Sequence, residues 1–247
     1  DLEPNASEHS GAEGVGVDSE GNVYGAVVRR RMLEKHVPTA SGASSGTQPF
    51  GAQPGQAPAH VAHVATNFNS APAGKGLAAT ASTEAGIAVL HANFTAGDLS
   101  DLGAMRRHGG HVLHALDPAE GSRGPGLGYG LIRAVEGVAT HVELAANAQG
   151  ASASLRTHAQ HVASIARSVA QRGAEAAEIA RRLQAAASIR VASPLVAQLR
   201  LLMYQISEGG DLDGDGRLSL DGEAGVQQME AHVYLLLVGE GLPRVVR

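Results

Sequence analysis

The feature that most constrains the fold of this chain is an internal repeat, in which residues 91–116 recur fifty residues later. Three histidines in the first copy have counterparts in the second, and both sets keep the same gaps of 17 and then 3 residues. Such agreement is hard to obtain by chance when the chain has only 12 histidines. The period fits two helices joined by a short loop. The repeated histidines are His91, His108 and His111 in the first copy, and His141, His158 and His161 in the second.

Each copy of the repeat is predicted to form an antiparallel pair of helices. In the first copy, residues 97–100 form the loop, because Gly ends helices and Asp or Ser begins them. The first histidine of each copy lies about as far before its loop as the second lies after it, so their imidazoles are expected at about the same height along the hairpin. The third histidine follows one turn further along the same helix face. Two such hairpins packed together make a four-helix bundle, and facing helices build metal sites in the interior of such bundles.

Apolar residues at helical spacing predict the remaining helices. The predicted helices cover 79–96, 102–116, 131–146 and 151–171, the last either ending there or continuing to 188. Ser193-Pro194 predicts a further start, with Ser as N-cap and Pro at the first helical position. The predicted fold class is therefore mainly α. Over residues 77–247, duplicated helical hairpins form a four-helix-type bundle that ends in a C-terminal helix–calcium loop–helix.

The N-terminal part of the chain is predicted to lie outside this bundle. Residues 1–37 are predicted as a small β-hairpin segment, because valines alternate on both sides of a turn-forming run. Within it, Gly-Val-Gly-Val-Asp-Ser-Glu-Gly-Asn-Val-Tyr at 14–24 resembles part of a blade of the NHL or streptogramin-lyase type of β-propeller. The resemblance implies paired strands, and we expect a hairpin that packs on the bundle or on a partner chain. Residues 38–76, rich in Pro, Gly and Ser, are predicted as a wrapping linker that contains a short helical or extended His60-Val61-Ala62-His63.

Composition narrows the possible functions. The absence of cysteine excludes disulfides, thiolate metal sites, iron–sulfur clusters and covalent c-type haem attachment. The net charge of −5 argues against general nucleic-acid binding. The sequence has no run of about 18 apolar residues, so no membrane span is predicted. Because the chain begins at Asp1 rather than Met, we expect a processed protein that is periplasmic or secreted.

An acidic segment near the C-terminus carries a second metal-binding pattern. Residues 211–223 read Asp-Leu-Asp-Gly-Asp-Gly-Arg-Leu-Ser-Leu-Asp-Gly-Glu and resemble an EF-hand calcium loop. The resemblance implies side-chain ligands from Asp211, Asp213 and Asp215, and a backbone carbonyl ligand from Arg217. Ca²⁺ is the expected ion, because it accepts six to eight oxygen ligands in a tolerant geometry.

This loop departs from the EF-hand pattern at its twelfth position. A bidentate Glu is expected there, and this chain has Gly222. Either Asp221 or Glu223, one residue to each side, reaches the ion, or water takes the place of the missing ligand. The calcium is expected to have a structural role, because it would hold the last two helices together.

The repeated histidines indicate a transition-metal site. Histidines three residues apart on a helix bind late first-row metals through neutral imidazole. The arrangement over residues 77–166 resembles small His-rich periplasmic metal-binding proteins, on the strength of His91-Ala92, His108, His111 and His114-Ala115. The metals expected at these histidines are copper, zinc or nickel. Two other interpretations stay open, namely packing histidines bonded to backbone carbonyls and a non-covalent haem held between two histidines.

Catalytic motifs are missing from the sequence. It has no Cys nucleophile, no G-x-S-x-G, no H-E-x-x-H and no phosphate-binding glycine loop after a strand. The repeat also lacks the Glu-x-x-His pairing of di-iron bundles. We therefore expect a non-catalytic, extracytoplasmic metal-binding protein. The alternative is a structural accessory subunit of a larger envelope or membrane-associated complex, bound to other protein chains, with calcium purely structural.

Overall fold

The computed structural model describes residues 56–120 and 123–242 with their side chains, and the backbone of three short N-terminal strands. The chain divides into two compact units, which are described separately. The helical residues up to 213 and from 218 onward belong to one unit, and the N-terminal strands and residues 214–217 belong to the other. Within the described ranges, no helix combines the length and the hydropathy that crossing a membrane requires.

The N-terminal strands are β1 (Gly14–Val17), β2 (Val23–Val27) and β3 (Met32–His36). They pair antiparallel in the order β1-β2-β3. The side chains of this segment lie outside the described residues. The packed hairpin, the propeller resemblance and the first part of the linker, up to residue 55, therefore stay predictions.

Seven α-helices account for most of the part of the chain described from residue 56 onward, which confirms a mainly helical bundle. The repeat forms two pairs of helices in contact, α2 with α3 and α4 with α5. The helices are α1 (Gln56–Ala65), α2 (Leu77–Phe94), α3 (Leu102–Leu116), α4 (Leu131–Asn147), α5 (Ala153–Ala185), α6 (Ile189–Glu208) and α7 (Val226–Gly239).

Helix α5 is the centre of the bundle, because it packs against α3, α4, α6 and α7. Its 33 residues span about 50 Å. The buried stripe alternates steps of four and three residues, and this average of about 3.5 is the spacing of left-handed helix packing. Most of the stripe is small, so neighbouring helices approach closely. Its members are Leu155, Ala159, Val162, Ala166, Val169, Gly173, Ala176, Ala180 and Leu183.

Two helices differ from the sequence-based expectation, and both differences involve proline. The segment predicted as linker contains α1, in which Pro58 lies in the first turn, where its missing N–H costs no hydrogen bond. Helix α6 begins at Ile189 and continues through Pro194, which the sequence predicts as the start of the helix. There Ser193 donates its hydroxyl to the Ile189 carbonyl at 2.9 Å, and the helix tolerates the loss of one backbone donor.

A buried carboxylate in the middle of α2 anchors the loop that leads into α4. Glu84 is fully buried, and its Oε1 accepts backbone N–H groups from Leu127, Tyr129 and Gly130, each at 3.1 Å. Its Oε2 has no hydrogen-bond partner. Three donors on one oxygen stabilise the buried side chain and fix the loop where it returns to the bundle.

We predict that Glu84→Ala lowers the free energy of unfolding by about 3 kcal/mol or more, because it leaves buried backbone donors unpaired. Glu84→Gln should cost less, since its amide oxygen still accepts. Urea denaturation of the purified variants measures both. The matched control is Glu136→Ala on the exposed face of α4, for which we expect a change within about 0.5 kcal/mol. Equal stability of the Glu84→Ala and Glu136→Ala variants would contradict the anchoring role.

Candidate metal centres

Nine histidines converge in three separate groups of three, and in each group the candidate ligand atoms lie within 4.8 Å of one another. All nine side chains are half-buried. We name each group by the helices that supply it. The α1/α4 site is His60, His63 and His141, the α2/α3 site is His91, His108 and His111, and the α5/α7 site is His158, His161 and His232.

The three sites share one construction. Each takes two histidines three residues apart from one helix, so the pair projects from neighbouring turns of the same face. The third histidine comes from a helix that packs alongside. The pairs lie on α1, α3 and α5, and their partners on α4, α2 and α7.

The ring nitrogens of the α2/α3 site lie at ligand-to-ligand distances. His91 Nδ1 is 3.0 Å from His108 Nδ1 and 3.2 Å from His111 Nδ1. Two imidazole nitrogens bound to one tetrahedral zinc ion lie about 3.3 Å apart, as metal–nitrogen bonds of about 2.0–2.1 Å require. The three rings are therefore already placed to hold one metal ion.

The α1/α4 site has the same spacing. His141 Nδ1 lies 2.9 Å from His60 Nδ1 and 3.4 Å from His63 Nδ1. A phenylalanine ring supports the arrangement, since Phe68 packs against His63 and His141 with ring centroids 5.2 and 5.3 Å apart. At the α2/α3 site Phe94 takes the corresponding place, 5.3 Å from two of the three imidazole centroids.

The α5/α7 site has the weakest hydrogen bonding between its imidazoles. His158 Nδ1 and His232 Nδ1 lie 3.4 Å apart. The His161 ring packs edge-on against His232 with centroids 4.8 Å apart, but His161 Nδ1 is buried and has no hydrogen-bond partner.

Hydrogen bonding alone does not satisfy three converging imidazole nitrogens. A neutral imidazole has one N–H donor and one acceptor nitrogen. Two facing nitrogens can share one N–H, in which one ring donates and the other accepts. The third nitrogen then has no complementary partner, because it meets either a lone pair that is already used or another N–H. A metal ion accepts a lone pair from all three at once, so each group could hold a metal ion.

At each of the three sites, burial lowers the pKa of at least one imidazole and so favours the neutral form that binds metals. Desolvation lowers the pKa of His232 to about 4, with the neighbouring His161 and His158 adding to the effect. The same cause comes first at the other sites, where burial and then a neighbouring imidazole lower the pKa of His91 and His141. Protons therefore compete weakly with a metal at neutral pH.

The structure brings together the predicted histidines of the first repeat but not those of the second. His91, His108 and His111 form one site, as the spacing predicts. The prediction that His141 joins His158 and His161 is wrong, because α4 also packs on α1, and α5 also packs on α7. The rings also lie half-buried at the edges of helix interfaces rather than in the interior of the bundle, which is filled with Ala, Val, Leu, Met and Ile side chains.

Three candidate ligands were not predicted from the sequence. In addition, one histidine that was used for the resemblance lies outside the three sites. His60 and His63 repeat the His-x-x-His spacing of the other two pairs, which is the signal that could have identified them. His232 stands alone in the sequence and has no such signal. His114 belongs to none of the three groups, and its Nδ1 is buried without a hydrogen-bond partner.

The acidic loop also brings carboxylates together. Asp211, Asp213 and Glu223 form a group that could hold a metal ion. Glu223 is buried and accepts backbone N–H groups from Ser219 and Leu212, both at 2.7 Å, and from Asp213 at 3.2 Å. These bonds, the one from Ser219 first, lower the pKa of Glu223 to about 2. The ionised carboxylate thus closes the loop on itself.

The other predicted loop ligands lie outside this group. Asp221 Oδ1 is 3.4 Å from Ser164 Oγ. Asp215 and Arg217 belong to the unit that contains the N-terminal strands. Asp215 Oδ1 accepts the Arg217 N–H at 2.7 Å. Gly222 has φ +100, a conformation that disfavours the expected Glu at the twelfth position. The loop lies between α6 and α7, the helical context the resemblance requires, while calcium itself stays a prediction.

Comparison of the chain with protein-family models, with curated proteins and with solved structures gave no match. The resemblances to EF-hand loops and to His-rich metal-binding proteins therefore stay predictions. The evidence that these groups could hold metal ions comes from the geometry of the chain itself.

We predict that the metal-free protein loses stability as the pH falls from about 6.5 towards about 4. The folded state lowers the pKa of His232 from 6.5 to about 4, so over that interval the unfolded chain binds more protons than the folded one. Thermal unfolding of chelator-treated protein at several pH values measures the loss. His232→Gln should flatten the pH dependence, and an unchanged pH dependence in that variant would contradict the assignment.

Proposed function

We propose that this chain is a non-catalytic metal-binding protein that holds three late first-row transition-metal ions, one at each histidine site. The observation that carries the proposal is the threefold recurrence of one construction, a His-x-x-His pair completed by a histidine from a neighbouring helix. Histidines that merely pack and bond to backbone carbonyls have no reason to converge by the same plan at three separate helix interfaces.

Ligand chemistry defines the class of metal. Three imidazoles suit zinc, copper or nickel, whereas calcium, magnesium and manganese prefer carboxylate and carbonyl oxygens. Each of the three sites contains only histidine. Three protein ligands on a tetrahedral ion leave one position for water or another ligand, and the half-buried rings allow solvent to reach it.

The geometry favours single metal ions over haem. A haem iron held by two histidines takes them on opposite faces of the porphyrin. At the α2/α3 site the three rings instead lie in mutual contact, with centroids 4.7 to 5.4 Å apart. No room for a porphyrin plane exists between rings at these distances.

For the acidic loop, we propose a calcium ion with a structural role. The support is the grouping of Asp211, Asp213 and Glu223 between two helices. Both oxygens of Glu223 already accept backbone N–H groups. A calcium ion would therefore share the Glu223 carboxylate with these backbone donors. We therefore expect a weak site, whose ion adds to a loop that Glu223 has already closed.

The test of the proposed function is metal stoichiometry by elemental analysis. Protein stripped with a chelator, reloaded with zinc and dialysed should contain three zinc ions per chain. His141→Ala, His91→Ala and His232→Ala each remove one ligand from a different site, and each should lower the count to two. The matched control is His114→Gln, which removes an imidazole near His111 without touching a site and should keep three.

Two results would contradict the proposal. One is a wild-type protein that retains no transition metal after dialysis, with or without calcium. The other is a zinc content that the three substitutions do not change, because bound zinc would then lie elsewhere.

A further inference from the structure

The three sites differ in how well their imidazoles are satisfied before a metal binds. At the α1/α4 site one ring N–H can bridge the 2.9 Å between His60 and His141, and at the α2/α3 site one can bridge the 3.0 Å between His91 and His108. At the α5/α7 site the only such contact is 3.4 Å long, and His161 Nδ1 is buried with no hydrogen-bond partner.

This difference changes the free energy of metal binding at the three sites. A buried polar atom without a partner destabilises the protein until something binds it. We assign Nδ1 as the ligand atom of His161, since it is the buried nitrogen without a partner, and a metal at the α5/α7 site would then supply that partner. A metal at either of the other sites must first replace a short hydrogen bond between two imidazoles, so its net gain is smaller.

The α5/α7 site is also built on a firmly held helix. At the start of α7, a Cβ on Gly225 would lie 2.5 Å from the backbone of Gly209, so only glycine allows this close approach to the end of α6. At the other end, Glu240 accepts the hydroxyl of Ser152, which itself caps α5. His232 lies between these two fixed ends, so its ring is positioned before the metal arrives, and preorganisation favours tight binding.

The α1/α4 site is built on a shorter helix with fewer buried side chains in total. Its pair of histidines lies on α1, a helix of 10 residues with three buried side chains, whereas α7 buries five over its 14 residues. At the α2/α3 site the supporting Phe94 is 45% exposed, so water reaches the rings more freely. Both sites are therefore better suited to metal ions that bind and dissociate readily.

Resting on the proposed function, we propose that the three sites have different roles. The α5/α7 site binds its metal first and releases it last, and its metal adds a link between α7 and α5 to a helix that is already held at both ends. The α1/α4 and α2/α3 sites hold exchangeable metal. The chain is then a carrier of two transition-metal ions that also holds a third, more tightly bound ion between α5 and α7.

The experiment compares proteins that keep one site each. His91→Ala with His141→Ala leaves the α5/α7 site, while His232→Ala combined with either of those two leaves one of the others. Zinc affinity is measured by competition with a chromophoric chelator, and circular dichroism checks that each protein is helical. We expect the protein with the α5/α7 site to bind zinc about tenfold more tightly, or more, than the other two.

A second measurement uses the unaltered chain and does not depend on the folding of variants. Hydrogen exchange read by mass spectrometry is followed as metal-free protein receives one, two and three equivalents of zinc. The first equivalent should slow exchange in residues 226–239, and exchange in residues 56–65 and 102–116 should slow only with later equivalents.

The results separate this inference from the proposed function. If three zinc ions bind but either other site is the tightest, or the first equivalent leaves 226–239 unprotected, the assignment of roles is wrong and the proposed function stands. If no protein in the series binds zinc, both are wrong.

Discussion

Close approach of helices through small side chains is the constraint on which the rest of the structure depends. Along α3, α4 and α5, glycines face the side chains of neighbouring helices. A Cβ on Gly109 would lie 3.0 Å from Leu183, and one on Gly173 would lie 3.0 Å from Ile132. These approaches lie between α3 and α5 and between α4 and α5, so they set the positions of the three helices on which α1, α2 and α7 pack. Each histidine site pairs one of these three helices with α1, α2 or α7. Larger side chains at these glycines would therefore move the helices that carry the sites.

The sites also connect distant parts of the chain. The ligand pairs of the α2/α3 site are 17 and 20 residues apart, whereas those of the α1/α4 site are 81 and 78 apart and His158 is 74 from His232. Closing a loop of about 78 rather than 17 residues restricts the unfolded chain by about 1.3 kcal/mol more. Metal ions at the two long-range sites would therefore constrain the topology, whereas one at the α2/α3 site would mainly support a local hairpin.

The parts of this structure that sequence predicts well are the local ones. Helical periodicity predicts α2, α3 and α4 closely, because each helix buries one regular stripe. For α5, which runs from Ala153 to Ala185, the predicted end at 171 is too early and the alternative end at 188 is close. The α2/α3 site is predictable for the same reason, since its ligands flank one short loop. The other two sites depend on which non-consecutive helices pack together, and periodicity carries no information about that. The repeat therefore predicts that His141 pairs with histidines on the adjacent helix α5. In the structure the partners of His141 are His60 and His63, which lie on α1.

Two further misses have specific physical causes. The prolines around α1 indicate a linker, although proline in a first turn is compatible with a helix. In the acidic loop, the sequence order of the carboxylates suggests a common set of ligands. The backbone instead uses Glu223 to bind loop N–H groups, and Asp221 is turned towards Ser164.

The most direct test of the account is a crystal structure of the zinc-loaded protein with anomalous data collected on both sides of the zinc absorption edge. The account predicts three zinc peaks, one in each triad, each about 2.0–2.1 Å from three imidazole nitrogens. Zinc peaks located away from the triads, or triads that stay empty in zinc-saturated crystals, would contradict it.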